Sequence, residues 1–229
     1  MTAHAGALRL RVETMEWQDV ANDAASRMRY SNVAIFLHWA IAILILFNLF
    51  TGFFGESVPR AVFAFHISSG ITILALTVIR IVWRLTHKPP PFLPIAVWER
   101  GLAHGVHFCL YLAMLAAPLT GWAMVSAYVP QPEAAAGAAA RVAAPKPRPI
   151  MVWGVIPLPR LSPITRIADQ PDGAAKLKEA HELFEARHET IGWIFIGLLL
   201  LHLAGAMKHQ LIDRRRELGR MGMGSAPLA

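Results

Sequence analysis

Ten histidines occur in this chain of 229 residues, and five of them, His38, His66, His107, His188 and His202, fall in or at the mouth of long apolar runs. An ionisable ring in a membrane-length run is costly and must find a partner, which makes each one a candidate functional residue. A hydrogen bond across helices is the plainer use of such a ring, and number alone does not separate the two. Spacing does more. His188 and His202 are fourteen residues apart; at about 3.6 residues per turn both rings leave the same face of one helix, about 21 Å apart along its axis. His66 opens a second apolar run from the end that His188 occupies, and His38 lies just inside a third run at the end of His202. His66 is therefore expected to meet His188, and His38 to meet His202. Two facing pairs of neutral imidazoles, each bridging two helices, suit axial coordination of iron in a planar macrocycle. An iron closed by two histidines favours electron transfer over oxygen binding. A structural zinc would need about four ligands gathered at one point, which a spacing of about 21 Å forbids for these pairs.

The elements that must carry these rings are membrane helices. Hydrophobic residues make up 55% of the chain and charged ones 16%, with a mean hydropathy of +0.43, against roughly 25% charge in an ordinary soluble domain. Crossing a bilayer takes about 20 mostly apolar residues, and four such runs stand in the sequence: 33–54, 62–85, 102–127 and 191–211. The reading is an all-α membrane protein, a four-helix transmembrane bundle over 30–212. An N-terminal extension (1–29) precedes it, an outer loop (128–187) interrupts it and a basic tail (213–229) follows. Residues 1–29 have no apolar core, so they do not read as a signal peptide, and the first span is expected to act as its own insertion signal. Within the loop, residues 130–149 are rich in proline and alanine and read as disordered. Residues 150–163 read as an irregular segment at the membrane surface. From Ala174 the apolar spacing turns helical, and that helix is expected to run unbroken into the fourth span.

Charge sets the orientation. Arg9, Arg11, Arg27 and Arg29 precede the first span; Arg80, Arg84, Lys88 and Arg100 flank the second connection; Lys208, Arg214, Arg215, Arg216 and Arg220 close the chain. The first connection has only Arg60. The positive-inside rule then places both termini in the cytoplasm. The net charge of +7 is not arranged as a basic stripe interleaved with aromatics, so nucleic acid is not an expected partner. The single cysteine, Cys109, permits no intrachain disulfide, and no Cys-x-x-Cys-His run offers covalent haem attachment.

Four segments together carry a family resemblance: RYSNVAIFLHW (29–39), FHISSGITILALTVIRIVWRL (65–85), GLAHGVHFCLYLAMLAAPLTGW (101–122) and RHETIGWIFIGLLLLHLAGAMKHQ (187–210). In order, they resemble the four spans of the prokaryotic cytochrome b561 family. That resemblance implies a bacterial inner-membrane protein with two b-type haems and ubiquinone as electron partner. It also implies, for some members, oxidation of superoxide or of another periplasmic redox partner at the outer face. Carried over by position, its haem ligands fall on His38, His66, His188 and His202.

Other residues compete. His107 lies at a depth like that of His202 and could ligate iron, contact a propionate or a quinone, or simply bridge helices, the last two roles being preferred. Arg80 is fourteen residues after His66 and is a candidate partner for a haem propionate, with snorkelling to the headgroups as the alternative, the role preferred for Arg84. Arg29 and Tyr30 are weaker candidates for the propionate. His209 is read as interfacial, His181 as an exposed residue near an outer entrance, and His104, His87 and His4 as carrying no signal. Two other functions fit part of the pattern: the haem b subunit of a membrane dehydrogenase or hydrogenase complex, and a metal-ion transporter with histidine-lined spans. The transporter is disfavoured, because none of the four runs has Asp or Glu at its centre.

Overall fold

The computed structural model describes residues 28–55, 59–91, 95–128 and 149–224, and of residues 60 and 61 the backbone alone. The N-terminal extension and the proline- and alanine-rich stretch therefore lie almost wholly outside the described residues. Four long helices dominate: α1 (Asn32–Phe53), α2 (Arg60–Thr86), α3 (Val97–Ala127) and α5 (Gly173–Met207). All four are long and apolar enough to cross a membrane. Between α3 and α5 come a two-stranded hairpin, β1 (Ile150–Val152) and β2 (Ile156–Leu158), and a short α4 (Ser162–Thr165). A π-helical turn, Lys208–Ile212, follows α5, and α6 (Glu217–Arg220) is the last helix among the described residues.

Local chemistry explains the boundaries. Ser31 precedes α1 and its hydroxyl accepts the Ala34 backbone N–H at 3.3 Å, satisfying one of the amides left open at a helix start. Prolines 89 to 91 follow α2 and cannot continue a helix. Gly173 opens α5, and the helix then runs 35 residues to Met207 without a break, as the spacing from Ala174 predicts. Helices this apolar leave large side chains on the outside: Phe36 is 68% exposed, Leu85 81% and Leu200 63%. In lipid no penalty attaches to that exposure.

The chain gathers into two compact units. One comprises Met1–Trp39, Arg80–His107 and Leu199–Ala229; the other comprises Ala40–Ile79 and Phe108–Leu198. In the first unit the indole of Trp83 donates to Ser31 Oγ at 3.1 Å and that of Trp39 donates to the Met221 carbonyl at 2.9 Å. Among its apolar residues Leu37 and Val106 are buried. In the second unit Asn48 Nδ2 donates to Ser69 Oγ at 2.7 Å, joining α1 to α2, and Ile41, Ile73, Met114 and Phe195 are buried.

Residues 150–158 differ from the expected irregular segment. They form an antiparallel hairpin in which Ile150 pairs with Leu158 and Val152 with Ile156. The two central turn residues, Trp153 and Gly154, take φ of 53° and 69°, the left-handed pair that tight hairpins need. The tip docks on α2: Trp153 donates its backbone N–H to Ser68 Oγ at 2.9 Å and its indole N–H to Thr72 Oγ1 at 3.0 Å. Trp122 on α3 holds the far end through the Pro159 carbonyl at 2.8 Å.

Candidate functional site

In the second unit α2 and α5 bring His66 and His188 together, with ring centres 6.1 Å apart and planes at 76°. Each ring is also held from a third element. The Thr51 hydroxyl lies 2.8 Å from His66 Nδ1 and 2.9 Å from the Phe47 carbonyl. Its proton goes to the carbonyl, so its lone pair accepts Nδ1–H and the free lone pair of His66 is at Nε2. His188 Nδ1 lies 2.9 Å from the Ala117 carbonyl, which can only accept, so this ring too carries its proton on Nδ1. Thr120 Oγ1 stands 3.2 Å from the same nitrogen. Neutral imidazoles with Nδ1–H bonded to a carbonyl or hydroxyl are the form that presents Nε2 to a metal.

Glycine makes room for one ring. A Cβ built on Gly121 would stand 3.2 Å from His188 Cε1, tighter than is usual, whereas one on Gly52 would make an ordinary contact of 3.4 Å with His66 Cε1. Two Thr-Gly pairs, Thr51-Gly52 on α1 and Thr120-Gly121 on α3, thus stand opposite two different histidines. Thr51 fixes the His66 proton, Thr120 stands beside a proton that the Ala117 carbonyl holds, and the absent side chain of Gly121 admits the edge of His188. Neither pair is among the residues singled out from sequence; the repeated dipeptide at the same end of two apolar runs is the signal that would have found them.

In the first unit α1 and α5 bring His38 and His202 to 6.3 Å between ring centres, with planes at 67°. Among the described residues neither ring has a hydrogen bond. His38 is flanked instead by the indole of Trp39, edge-on at 5.2 Å. His107 joins this cluster from α3, its ring centre 5.1 Å from that of His202, while its Nδ1 donates to the Ala103 carbonyl of its own helix at 2.7 Å. Arg80 extends from α2 and donates to the Ala34 carbonyl of α1 at 3.0 Å.

The remaining candidates fall elsewhere. His181, expected to be exposed, is half-buried and its Nδ1 donates to the Met124 carbonyl at 2.9 Å. His104 donates to the Arg100 carbonyl at 2.8 Å, and His87 stacks on Trp83 at 3.6 Å. His209 pairs with Asp213 at 2.6 Å. Lys208 bridges Asp213, at 2.9 Å, and Glu99 of α3. The Lys208 and His209 hydrogen bonds hold the Asp213 carboxyl below its ordinary range. Tyr30 lies under the guanidinium of Arg220, 5.6 Å from its ring centre. No cluster of three or more His, Cys, Asp or Glu side chains suited to a metal ion occurs among the described residues.

Four membrane-length helices, with histidines brought together in pairs, define a multi-pass helical membrane protein. Residues 29–224 match the family described as prokaryotic cytochrome b561, and the chain belongs to that family. It is similar to the probable superoxide oxidase CybB of Yersinia pestis, 32% identical over 102 residues, covering 42% of this chain and 58% of that protein. It is similar to cytochrome b561 homolog 2 of Escherichia coli, 26% identical over 205 residues, covering 84% and 90%. A third relative is cytochrome b562 of Cereibacter sphaeroides, 33% identical over 111 residues, covering 40% and 63%. The chain thus spans less than two thirds of the Yersinia and Cereibacter proteins. Family membership makes it a membrane cytochrome of the b type, a family that implies haem b.

Proposed function

We propose that the chain moves single electrons across a membrane through two b haems, one held by His66 and His188 and the other by His38 and His202, and exchanges them with the quinone pool. The observation that carries this reading is the separation within each pair. A metal–imidazole bond of about 2 Å on each side, and roughly 1.2 Å more from each nitrogen to the centre of a ring of about 1.35 Å bonds, place two opposed axial rings about 6.4 Å apart. The pairs stand at 6.1 and 6.3 Å. His107, at 5.1 Å from His202, stands closer than that separation and is a neighbour of the site. An interhelical hydrogen bond in a membrane contributes only about 0.6 kcal/mol on average, too little to account for four intramembrane imidazoles arranged in this way.

Haem b with two imidazole ligands supplies a one-electron couple at an iron with no open position. The chain's own residues do the rest. Thr51 and the Ala117 carbonyl keep the Nδ1 protons in place, the glycine at 121 admits the His188 ring, and Arg80 sets a positive charge beside the His38–His202 pair where a propionate would be neutralised. Charge asymmetry supports cytoplasmic termini and the division into extension, four-span domain and tail.

The similarity to a protein named as a probable superoxide oxidase supports superoxide as donor, and the family resemblance implies ubiquinone as acceptor. Two superoxide anions each give up one electron and leave as oxygen, and ubiquinone with two protons becomes ubiquinol. Among the exposed cations in the first turns of α5, Lys178 is offset by Glu182 at 3.6 Å. Salt should therefore slow the reaction only modestly. The test is the reduced-minus-oxidised spectrum of the detergent-purified protein with its haem-to-chain ratio, followed by stopped-flow mixing with superoxide and then ubiquinone. Two haems per chain, reduced by the first reagent and reoxidised by the second, are expected. A ratio of one haem would overturn the paired assignment; intact haems inert to superoxide would leave a quinol-linked carrier with another donor.

A further inference from the structure

Within the basic tail, Arg220 stands apart: it is 3% exposed. Its guanidinium is used on every side. Nε donates to the Met28 carbonyl at 3.0 Å, Nη2 to the Pro91 carbonyl at 2.6 Å and Nη1 to Glu217 at 3.3 Å. Its face covers the Tyr30 ring, and its own carbonyl accepts the Tyr30 N–H at 3.1 Å. These contacts fix the start of α1 to the segment after α2. The next residue, Met221, offers its carbonyl to the indole N–H of Trp39 at 2.9 Å. The one after, Gly222, has φ of 85°, and a Cβ there would stand 3.2 Å from Ile35 Cγ2, so both backbone and space require glycine.

We propose that Arg220, Met221 and Gly222 form a positioning element for the His38–His202 redox site, with Trp39 as the link. His66 and His188 have hydrogen bonds that set their ring planes; His38 has none among the described residues. What sets its plane is packing, and the flanking ring on its own helix is Trp39, edge-on at 5.2 Å. That indole is itself pinned by the Met221 carbonyl, and Met221 is held in place by its two neighbours. The orientation of an axial imidazole and the packing around it tune the electronics of an iron centre. Arg220 therefore acts on His38 through Met221 and Trp39, as a positioning residue with no contact to the cofactor. Lysine cannot replace it, because a point charge on a flexible stem does not reproduce a planar fork serving separate acceptors.

This inference rests on His38 as a haem ligand, and the experiment keeps the two apart. The holoprotein is titrated potentiometrically by visible absorbance, with low-spin EPR as a second readout. The component lost in His38→Ala is assigned to that site, and the remaining component serves as internal reference. In Arg220→Lys the His38 component should shift in reduction equilibrium by about tenfold, about 59 mV for one electron, and its EPR signal should move while the reference stays. Gly222→Ala, and Trp39→Phe, which keeps a ring but removes the indole N–H, should shift the same component in smaller steps. An unmoved His38 component in all three variants overturns the proposal and leaves the ligand assignment standing. Loss or movement of both components together also overturns it, because the tail would then be a general fold staple. If His38→Ala removes no component, the ligand assignment fails and takes the proposal with it.

Discussion

The His66–His188 pair and the His38–His202 pair have nearly the same separation and are anchored by different means. The first pair is hydrogen-bonded: a hydroxyl on α1 and a carbonyl on α3 fix the proton of each ring, and Gly121 lets α3 approach His188 closely. In the second, neither ring is hydrogen-bonded among the described residues, and an indole, a third histidine and a guanidinium surround the rings. A ring held by a hydrogen bond has one tautomer and one plane before any metal arrives. A ring held by packing depends on everything that packs it. The first pair should thus be sensitive to single polar atoms, and the second to changes in charge and shape around it.

The largest effect tests whether the pairs are separate sites at all. His66→Ala or His188→Ala should lower haem content by about half and leave the other component's spectrum intact, with His38→Ala or His202→Ala doing the reverse. Loss of both haems from either substitution in a folded protein would collapse the comparison. Next in size is Thr51→Val, which removes the partner of His66 Nδ1 at nearly constant volume. Such supporting bonds are worth about 10–100-fold in metal affinity, so haem retention at that pair should fall by an amount in that range. Thr120→Val should cost less, because His188 keeps the Ala117 carbonyl. Equal losses from the two variants, measured by haem transfer to an acceptor apoprotein, would deny the hydrogen-bond account.

A smaller effect separates the two glycines. At Gly121 an added methyl meets His188 more tightly than is usual, whereas at Gly52 it makes an ordinary contact with His66. Gly121→Ala should accordingly slow haem incorporation several-fold at that pair while Gly52→Ala changes little, and the opposite order would contradict the geometry. Smallest in consequence for occupancy is Arg80→Leu. Both haems should remain bound, but the potential of the His38–His202 component should rise or fall alone, since a nearby positive charge and the bond to Ala34 are both lost. An unchanged potential would return Arg80 to a purely structural role.

How much of this was legible in the sequence depends on the kind of signal. The spans follow from run length, and the unbroken α5 from the spacing of Leu177, His181, Phe184 and His188. The four paired histidines follow from phase and depth. The hairpin at 150–158 was hidden because the usual mark of a tight turn is Asn-Gly or Asp-Gly, and here the first left-handed position is taken by Trp153. That bulky residue is tolerated because Ser68 and Thr72 accept both of its N–H groups. Arg220 was hidden for the opposite reason. An arginine in a run of basic residues reads as solvated, and only the fold shows that Met28, Pro91, Glu217 and Tyr30 enclose it. The threonines escaped because a hydroxyl in a span usually bonds its own preceding turn, as Thr51 and Thr120 also do, and its second role appears only once another helix is beside it.

The unbroken course of α5 restricts how the gene for such a protein can change length. His188 and His202 belong to different pairs, yet one helix carries both, so their angular relation is fixed by the fourteen residues between them. Inserting or deleting one residue in that interval turns everything beyond it by about 100°, and one imidazole would leave its pair. Insertions of any length fall outside that interval if they enter the connection between α3 and β1. Length variation among functional variants should therefore gather in that connection and be absent between 188 and 202, where substitutions alone are tolerated.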